Sequence, residues 1–261
     1  MKVYKFLIMF ILCSFTISLY AGILISSVDE MKSMKVNSVV KVEKDRVHIS
    51  TTGDKMAHTI IFRSDKKLFW IINEKNKTYQ QITKEDIKKM KAKMDEAQKM
   101  IEEQMKNMPE AQREMMKNMM SNQAMMQQAA PKIELKKKAT GQKINQWTCT
   151  HFEGFADGEK IKDIWVADSK AIGLNQSDFP VMKEMEEFFK SLSNQDSPFF
   201  SVGYKDLEEQ FGLTGIPVKV VGLSGGKVES TMEVTEIKKQ DFDPSIFELP
   251  SGYQKKEFMP E

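Results

Sequence analysis

The stretch His58-Thr59-Ile60-Ile61-Phe62-Arg63, Ser64-Asp65-Lys66-Lys67, Leu68-Phe69-Trp70-Ile71-Ile72-Asn73 decides the fold. Two runs rich in β-branched and aromatic residues flank four polar ones, which is the pattern of a β-hairpin. Residues 59–62 and 68–72 are apolar without alternation, so both faces of this hairpin have to be covered. Outward from it, residues 39–43, 46–51 and 78–82 read as further strands. Lys44-Asp45, Gly53-Asp54 and residues 74–77 link them as short polar turns. The spacing predicts an antiparallel meander within residues 22–83.

Strands resume at 133–140, 146–155 and 160–166, the last two joined at Asp157-Gly158, and again at 216–223 and 228–237. Helices lie between them. Thr83 and Asp86 form a capping box that opens a helix over about 84–107, and Pro109 suits the first turn of a second helix reaching about 129. In the first helix Ile87, Met90, Met94, Ala97, Ile101, Met105 and Met108 share an arc of about 80°. In the second, Met115, Met116, Met119, Met120, Met125 and Met126 spread over about 220°, more than one packed face uses. Asp178 and Pro180 begin another helix, with Val181, Met182, Met185, Phe188, Phe189 and Leu192 on an arc of about 120°. A shorter turn carries Tyr204, Leu207 and Phe211. The expected class is α+β, a large antiparallel sheet with helices.

Lys2 and Lys5 precede an apolar run from Phe6 to Leu19 that ends in Tyr20-Ala21-Gly22, the layout of a secretory signal. Residues 1–21 are therefore expected to be removed after Ala21. The other reading is an uncleaved anchor, since the uncharged run continues to Val28. Either way the rest of the chain is exported to the periplasm or cell envelope. Residues 22–255 are expected to form one domain, with a methionine-rich helical insertion over 84–130. Cys13 sits inside the apolar run behind bulky Leu12, which argues against lipid attachment there. Cys149 is then the single cysteine of the exported chain, and no internal disulfide can form.

Net charge is +2, and loss of Lys2 and Lys5 brings it to zero, which disfavours a nucleic-acid binder. Residues 22–140 hold 24 basic and 16 acidic residues, net +8, whereas 141–261 hold 13 and 21, net −8. The plain reading is complementarity within one domain. The sharper one is a peripheral phospholipid contact through the lysines.

Gly222-Leu223-Ser224-Gly225-Gly226 has the spacing of a hydrolase nucleophile elbow. The residues after it alternate as a strand, and His48, His58 and His151 all precede Ser224, so a hairpin loop is the better reading and no enzyme is expected. Cys149 and His151 share a strand face with Trp147. With thioethers from Met115 and Met119 they would form a soft site suited to copper. The alternative is a core of Trp147 and Cys149 beside a satisfied His151. Eleven of the 20 methionines lie between Met90 and Met126. That segment reads as ordinary helix packing, as an adaptable lid over an apolar ligand, or as a copper or oxidant trap. No cofactor is indicated, and no protein partner can be named.

Residues 44–49 (Lys-Asp-Arg-Val-His-Ile), Lys77-Thr78-Tyr79, the segment from Gly141 through Trp147-Thr148-Cys149, Ile164-Trp165-Val166-Ala167, Gly215-Ile216-Pro217-Val218 and the ending 242–253 (Phe-Asp-Pro-Ser-Ile-Phe-Glu-Leu-Pro-Ser-Gly-Tyr) occur in that order. Together they resemble a family of exported bacterial proteins known as a domain of unknown function. That family looks related to the outer-membrane lipoprotein carriers. The resemblance implies a curved half-barrel of antiparallel strands with helices over its concave face and an apolar cavity beneath them. It transfers no catalytic residue. The expected function is a non-enzymatic envelope protein binding a lipid or acyl chain, with Phe62, Phe69, Trp70, Trp147, Met182, Phe188 and Phe189 as the lining. A copper-handling or redox-protective protein and a structural interaction module are the other readings.

Overall fold

A computed structural model describes residues 22–31, 34–53, 57–106, 109, 112, 133–174, 180–190, 211 and 215–258. The proposed signal, residues 1–21, lies outside this set, as do Met108, Met115, Met116, Met119, Met120, Met125 and Met126, and with them Leu192, Tyr204 and Leu207.

Twelve strands make one sheet. In chain order they are β1 (Gly22–Met31), β2 (Met34–Val42), β3 (Arg46–Gly53), β4 (Ala57–Arg63), β5 (Leu68–Asn73), β6 (Thr78–Thr83), β7 (Glu134–Ile144), β8 (Trp147–Ala156), β9 (Glu159–Asp168), β10 (Gly215–Ser224), β11 (Lys227–Gln240) and β12 (Gln254–Lys256). Two α-helices are described, α1 (Lys84–Lys106) after β6 and α2 (Pro180–Lys190) after β9. The order across the sheet is β12-β6-β5-β4-β3-β2-β1-β11-β10-β9-β8-β7, open at both ends. The neighbours are antiparallel except β12, which runs parallel to β6. Strands β1–β6 of the net-positive part and β8–β11 of the net-negative part are thus two wings of one sheet, joined where β1 pairs with β11, while β7 and β12 each form the outer edge of the opposite wing.

The tight turns follow their residues. Asp157 and Gly158 take φ of 50° and 84°, and Gly225 and Gly226 take 54° and 73°, the left-handed pairs that two-residue hairpins need. Ser224 pairs with Lys227 across the second of these turns. The apparent nucleophile elbow is therefore the loop of the β10–β11 hairpin.

The central hairpin, β4 and β5, is covered on both sides. On one face Phe62 and Phe69 join Val42, Val47, Ile49, Ile82, Ile87 and three residues of α2 in a buried cluster. On the other, Ile61, Trp70 and Ile72 pack around Phe247. Phe247 ends a 3-10 turn, Pro244–Phe247, whose first amide is capped by the Asp243 carboxylate, which accepts from the Ser245 backbone N–H at 2.9 Å. The segment Phe242–Tyr253 is thus a strap across the sheet, and β12 continues it along the β6 edge.

Among the described residues, α-helical cover consists of α1 and α2. The capping box of α1 forms: Thr83 N–H donates to Asp86 at 2.8 Å and Asp86 N–H to Thr83 Oγ1 at 3.2 Å. Of the expected seam, Ile87 and Met105 are buried, Met90 and Ile101 half-buried and Ala97 exposed, while the side chains of Met94 and Met108 lie outside the described set. Ile87, in the first turn, joins the buried cluster beneath α2. The low packing demand of α1 fits its composition, since charged residues surround most of its length.

Candidate functional site

On an antiparallel sheet, directly paired residues project to the same side, and every second residue of a strand returns to that side. The registers of β1 to β6 therefore sort one sheet face into rows. The first row is Ile23, Val42, Val47, Phe62, Phe69 and Ile82, each paired with the next. The second is Ile25, Val40, Ile49, Ile60, Ile71 and Gln80. The third is polar throughout: Ser27, Ser38, Thr51, His58, Asn73 and Thr78. Asp29 and Val36 begin a fourth.

Helix α2 lies over the apolar rows. Its Val181, Met185 and Phe188 follow an i, i+4, i+7 spacing, so they share one helix face, and all three are buried. Phe188, at 2% exposure, sets its ring edge-on to Phe62 and tilted against Phe69, while Phe62 and Phe69 stack at 4.5 Å. Met182 is half-buried at the border of the same cluster. Ser64 donates a hydrogen bond to Glu184, tying the outer side of α2 to the β4–β5 turn.

Four of the seven expected lining residues are therefore together: Phe62, Phe69, Met182 and Phe188. Phe189 belongs to α2, and its side chain lies outside the described set. Trp70 is elsewhere, a correction that follows from strand geometry: it is adjacent to Phe69 and so faces the opposite side, where its indole N–H donates to Gln81 at 3.1 Å. Trp147 packs with Cys149, Ala167, Val218 and Val234 in a separate cluster.

Cys149 and His151 share a face of β8, as expected, and each is already engaged. Burial pushes the Cys149 thiol above its ordinary pKa, and Sγ donates to the Trp147 carbonyl at 3.7 Å. His151 Nε2 lies 2.7 Å from Asp163 Oδ1, and its ring stacks on Trp165 at 4.4 Å and 5°. Lys160 bridges Asp163 and Glu153 at 2.9 and 2.8 Å. Among the described residues no group of three or more His, Cys, Asp or Glu side chains could hold a metal ion.

The polar row was missed because no single strand shows it; only register assembles it. Its one carboxylate neighbour, Asp29, is half-buried. Burial pushes its pKa above the ordinary value, opposed by the Ser38 hydroxyl at 2.9 Å and the Ser27 hydroxyl at 3.4 Å. A different polar atom lies on the opposite face. His48 is paired with Lys41 and Ile61, and its Nδ1 is buried with no hydrogen-bond partner among the described residues. Burial first, and the Lys41 charge second, lower its pKa to about 4.

Solved structures with similar shapes come from several sources. An uncharacterized conserved protein from Thermus thermophilus covers 92% of this chain and 91% of its own, at 8% identity and a TM-score of 0.47. PNGF-II matches 91% of this chain over 31% of its own, at 11% identity and a TM-score of 0.37. A LolA superfamily protein from Nitrosomonas europaea covers 88% and 90%, at 8% identity and a TM-score of 0.27. No curated protein matches the sequence. No helix among the described residues is long and apolar enough to cross a membrane. Residues 87–253, more than half of the chain and including the whole strap from Phe242 to Tyr253, match the model of a domain of unknown function, DUF4412. The chain belongs to that family.

Proposed function

We propose that this protein is a non-enzymatic, exported envelope protein that binds an apolar chain between the sheet face of β2–β6 and helix α2. The observation that carries the reading is two neighbouring rows, one apolar across six strands and the other across five, covered among the described residues by Ile87 of α1 and by the short helix α2 through Val181, Met185 and Phe188. A helix laid on a sheet by a few large, deformable side chains can be lifted at lower cost than a second sheet layer, and methionine adapts to guests of varied shape. The sequence resemblance to lipoprotein carriers, with its half-barrel and concave cavity, points the same way. In this reading Phe62, Phe69, Met182 and Phe188 touch the guest, Trp70 and Trp147 stabilise the scaffold, and the lysine-rich wing meets the membrane surface.

The test is native mass spectrometry of the mature domain purified without detergent, together with titration by a fluorescent apolar probe. Co-purifying lipid, or saturable probe binding that Phe188→Ala weakens about tenfold or more, is the expected result. A domain that carries no lipid and binds no probe overturns the proposal.

A further inference from the structure

We infer that the polar row Ser27, Ser38, Thr51, His58, Asn73 and Thr78, with Asp29 beside it, recognises an uncharged, hydroxyl-bearing head group attached to the apolar chain. The inference rests on the proposed function above and adds the class of amphiphile. A row apolar on all six strands and a second apolar on all but β6, where Gln80 stands, are followed by a third in which all six strands carry a hydroxyl, amide or imidazole. Successive rows lie about 7 Å apart and six strands span about 24 Å, so the row is a boundary across the whole wing. A guest lying along the strand direction passes from Phe62 and Phe69 to this boundary within roughly 14 Å.

Charge chooses the head. Neither the third row nor the described part of the fourth, with Asp29, Val36, Gly53 and Met232, holds a lysine or arginine, and the one charged side chain is a carboxylate. A phosphate brought beside Asp29 would meet repulsion in a half-buried setting without a compensating cation. Hydroxyls suit the site, because Ser, Thr and Asn both donate and accept. Ser38 and Ser27 already turn their hydroxyls toward Asp29, leaving their lone pairs as acceptors for a donor on the guest.

The experiment compares two probes that share one chain, monooleoylglycerol and oleoyl lysophosphatidate, by displacement of a fluorescent apolar probe from the full mature domain. The wild type is expected to bind monooleoylglycerol about tenfold or more tightly than lysophosphatidate. Ser38→Ala with Thr51→Val should weaken monooleoylglycerol about fivefold or more and reduce that preference, with the apolar probe's own affinity unchanged. Asp29→Asn, which keeps the side chain's shape, should narrow the preference from the other side by tightening lysophosphatidate. Equal binding of both probes by the wild type, or a preference that neither variant alters, overturns the head-group inference and leaves chain binding standing. Failure of both probes and of the fluorescent probe to bind overturns both.

Discussion

The ring of Phe188 on α2 lies 4.7 Å, centroid to centroid, from the ring of Phe69 on β5, at an interplanar angle of 57°. This contact fixes a surface helix to the sheet, so it determines both the stability of the wing and the access to its apolar rows. Phe188→Ala is expected to cost about 3 kcal/mol, the range of a large-to-small change at a buried aromatic. Urea unfolding followed by far-UV circular dichroism measures it. A loss below about 1 kcal/mol would mean that α2 is not a structural part of the core.

Arg63 anchors the strap from beneath. It is 6% exposed, donates to Asp65 from Nε at 2.8 Å and to the Phe247 carbonyl at 3.4 Å, and forms an ion pair with Glu248. Arg63→Met keeps the stem and removes the fork. The expected effect is a loss of about 2 kcal/mol, since Asp65 and Glu248 can turn to water. Limited proteolysis should cut within residues 241–258 of the variant at denaturant concentrations where the wild type is intact.

His48 makes stability depend on pH. Its folded-state pKa, about 4, is below the unfolded value of 6.5, so the unfolded chain takes up the proton first. Stability from this group is therefore full above pH 6.5 and falls as pH drops from 6.5 toward 4. Its size is no more than about 2 kcal/mol after allowance for partial solvent contact. Glu74, which acts in the opposite sense, and Lys41 set the balance. His48→Leu should flatten the dependence of the urea midpoint on pH across that window. An unchanged slope would show that another group titrates there.

Cys149 should be slow toward thiol reagents. It is buried, and desolvation holds its thiol protonated. In native buffer its reaction with a disulfide reagent is expected to be about a hundredfold or more slower than in denaturant, and to accelerate with urea in step with local opening. Rapid native labelling would place the thiol in a reactive setting instead.

The hairpin at residues 58–73 could be read directly, because its two runs are adjacent and its unbroken apolar pattern requires cover on both faces. The strands at 146–166 and the loop at Gly225-Gly226 were equally plain from their turn residues. β1 was harder: Gly22–Met31 begins as a continuation of the apolar run of residues 6–19 and ends in Ser, Asp and Glu, so neither period dominates. β12 carries no apolar residue, and its pairing is a matter of backbone hydrogen bonds to a strand far away in sequence. The side of Trp70 was legible from strand parity alone, since neighbours along a strand face opposite ways. The polar row was not legible, because it exists only once six registers are fixed together.

The strap has a consequence for the order in which the molecule is built. Ile61, Trp70 and Ile72 belong to the first third of the chain, yet the side chain that covers them, fully buried Phe247, comes among the last fifteen residues. A chain emerging from its N-terminus leaves that face of the meander without Phe247 until the strap at Phe242–Tyr253 has been delivered. Contacts of this sequence separation form slowly, because the intervening chain must first be brought into a closed loop. The early wing therefore waits, incomplete, for the strap, and a chain shortened before Phe242 would keep a sticky sheet face for its whole lifetime.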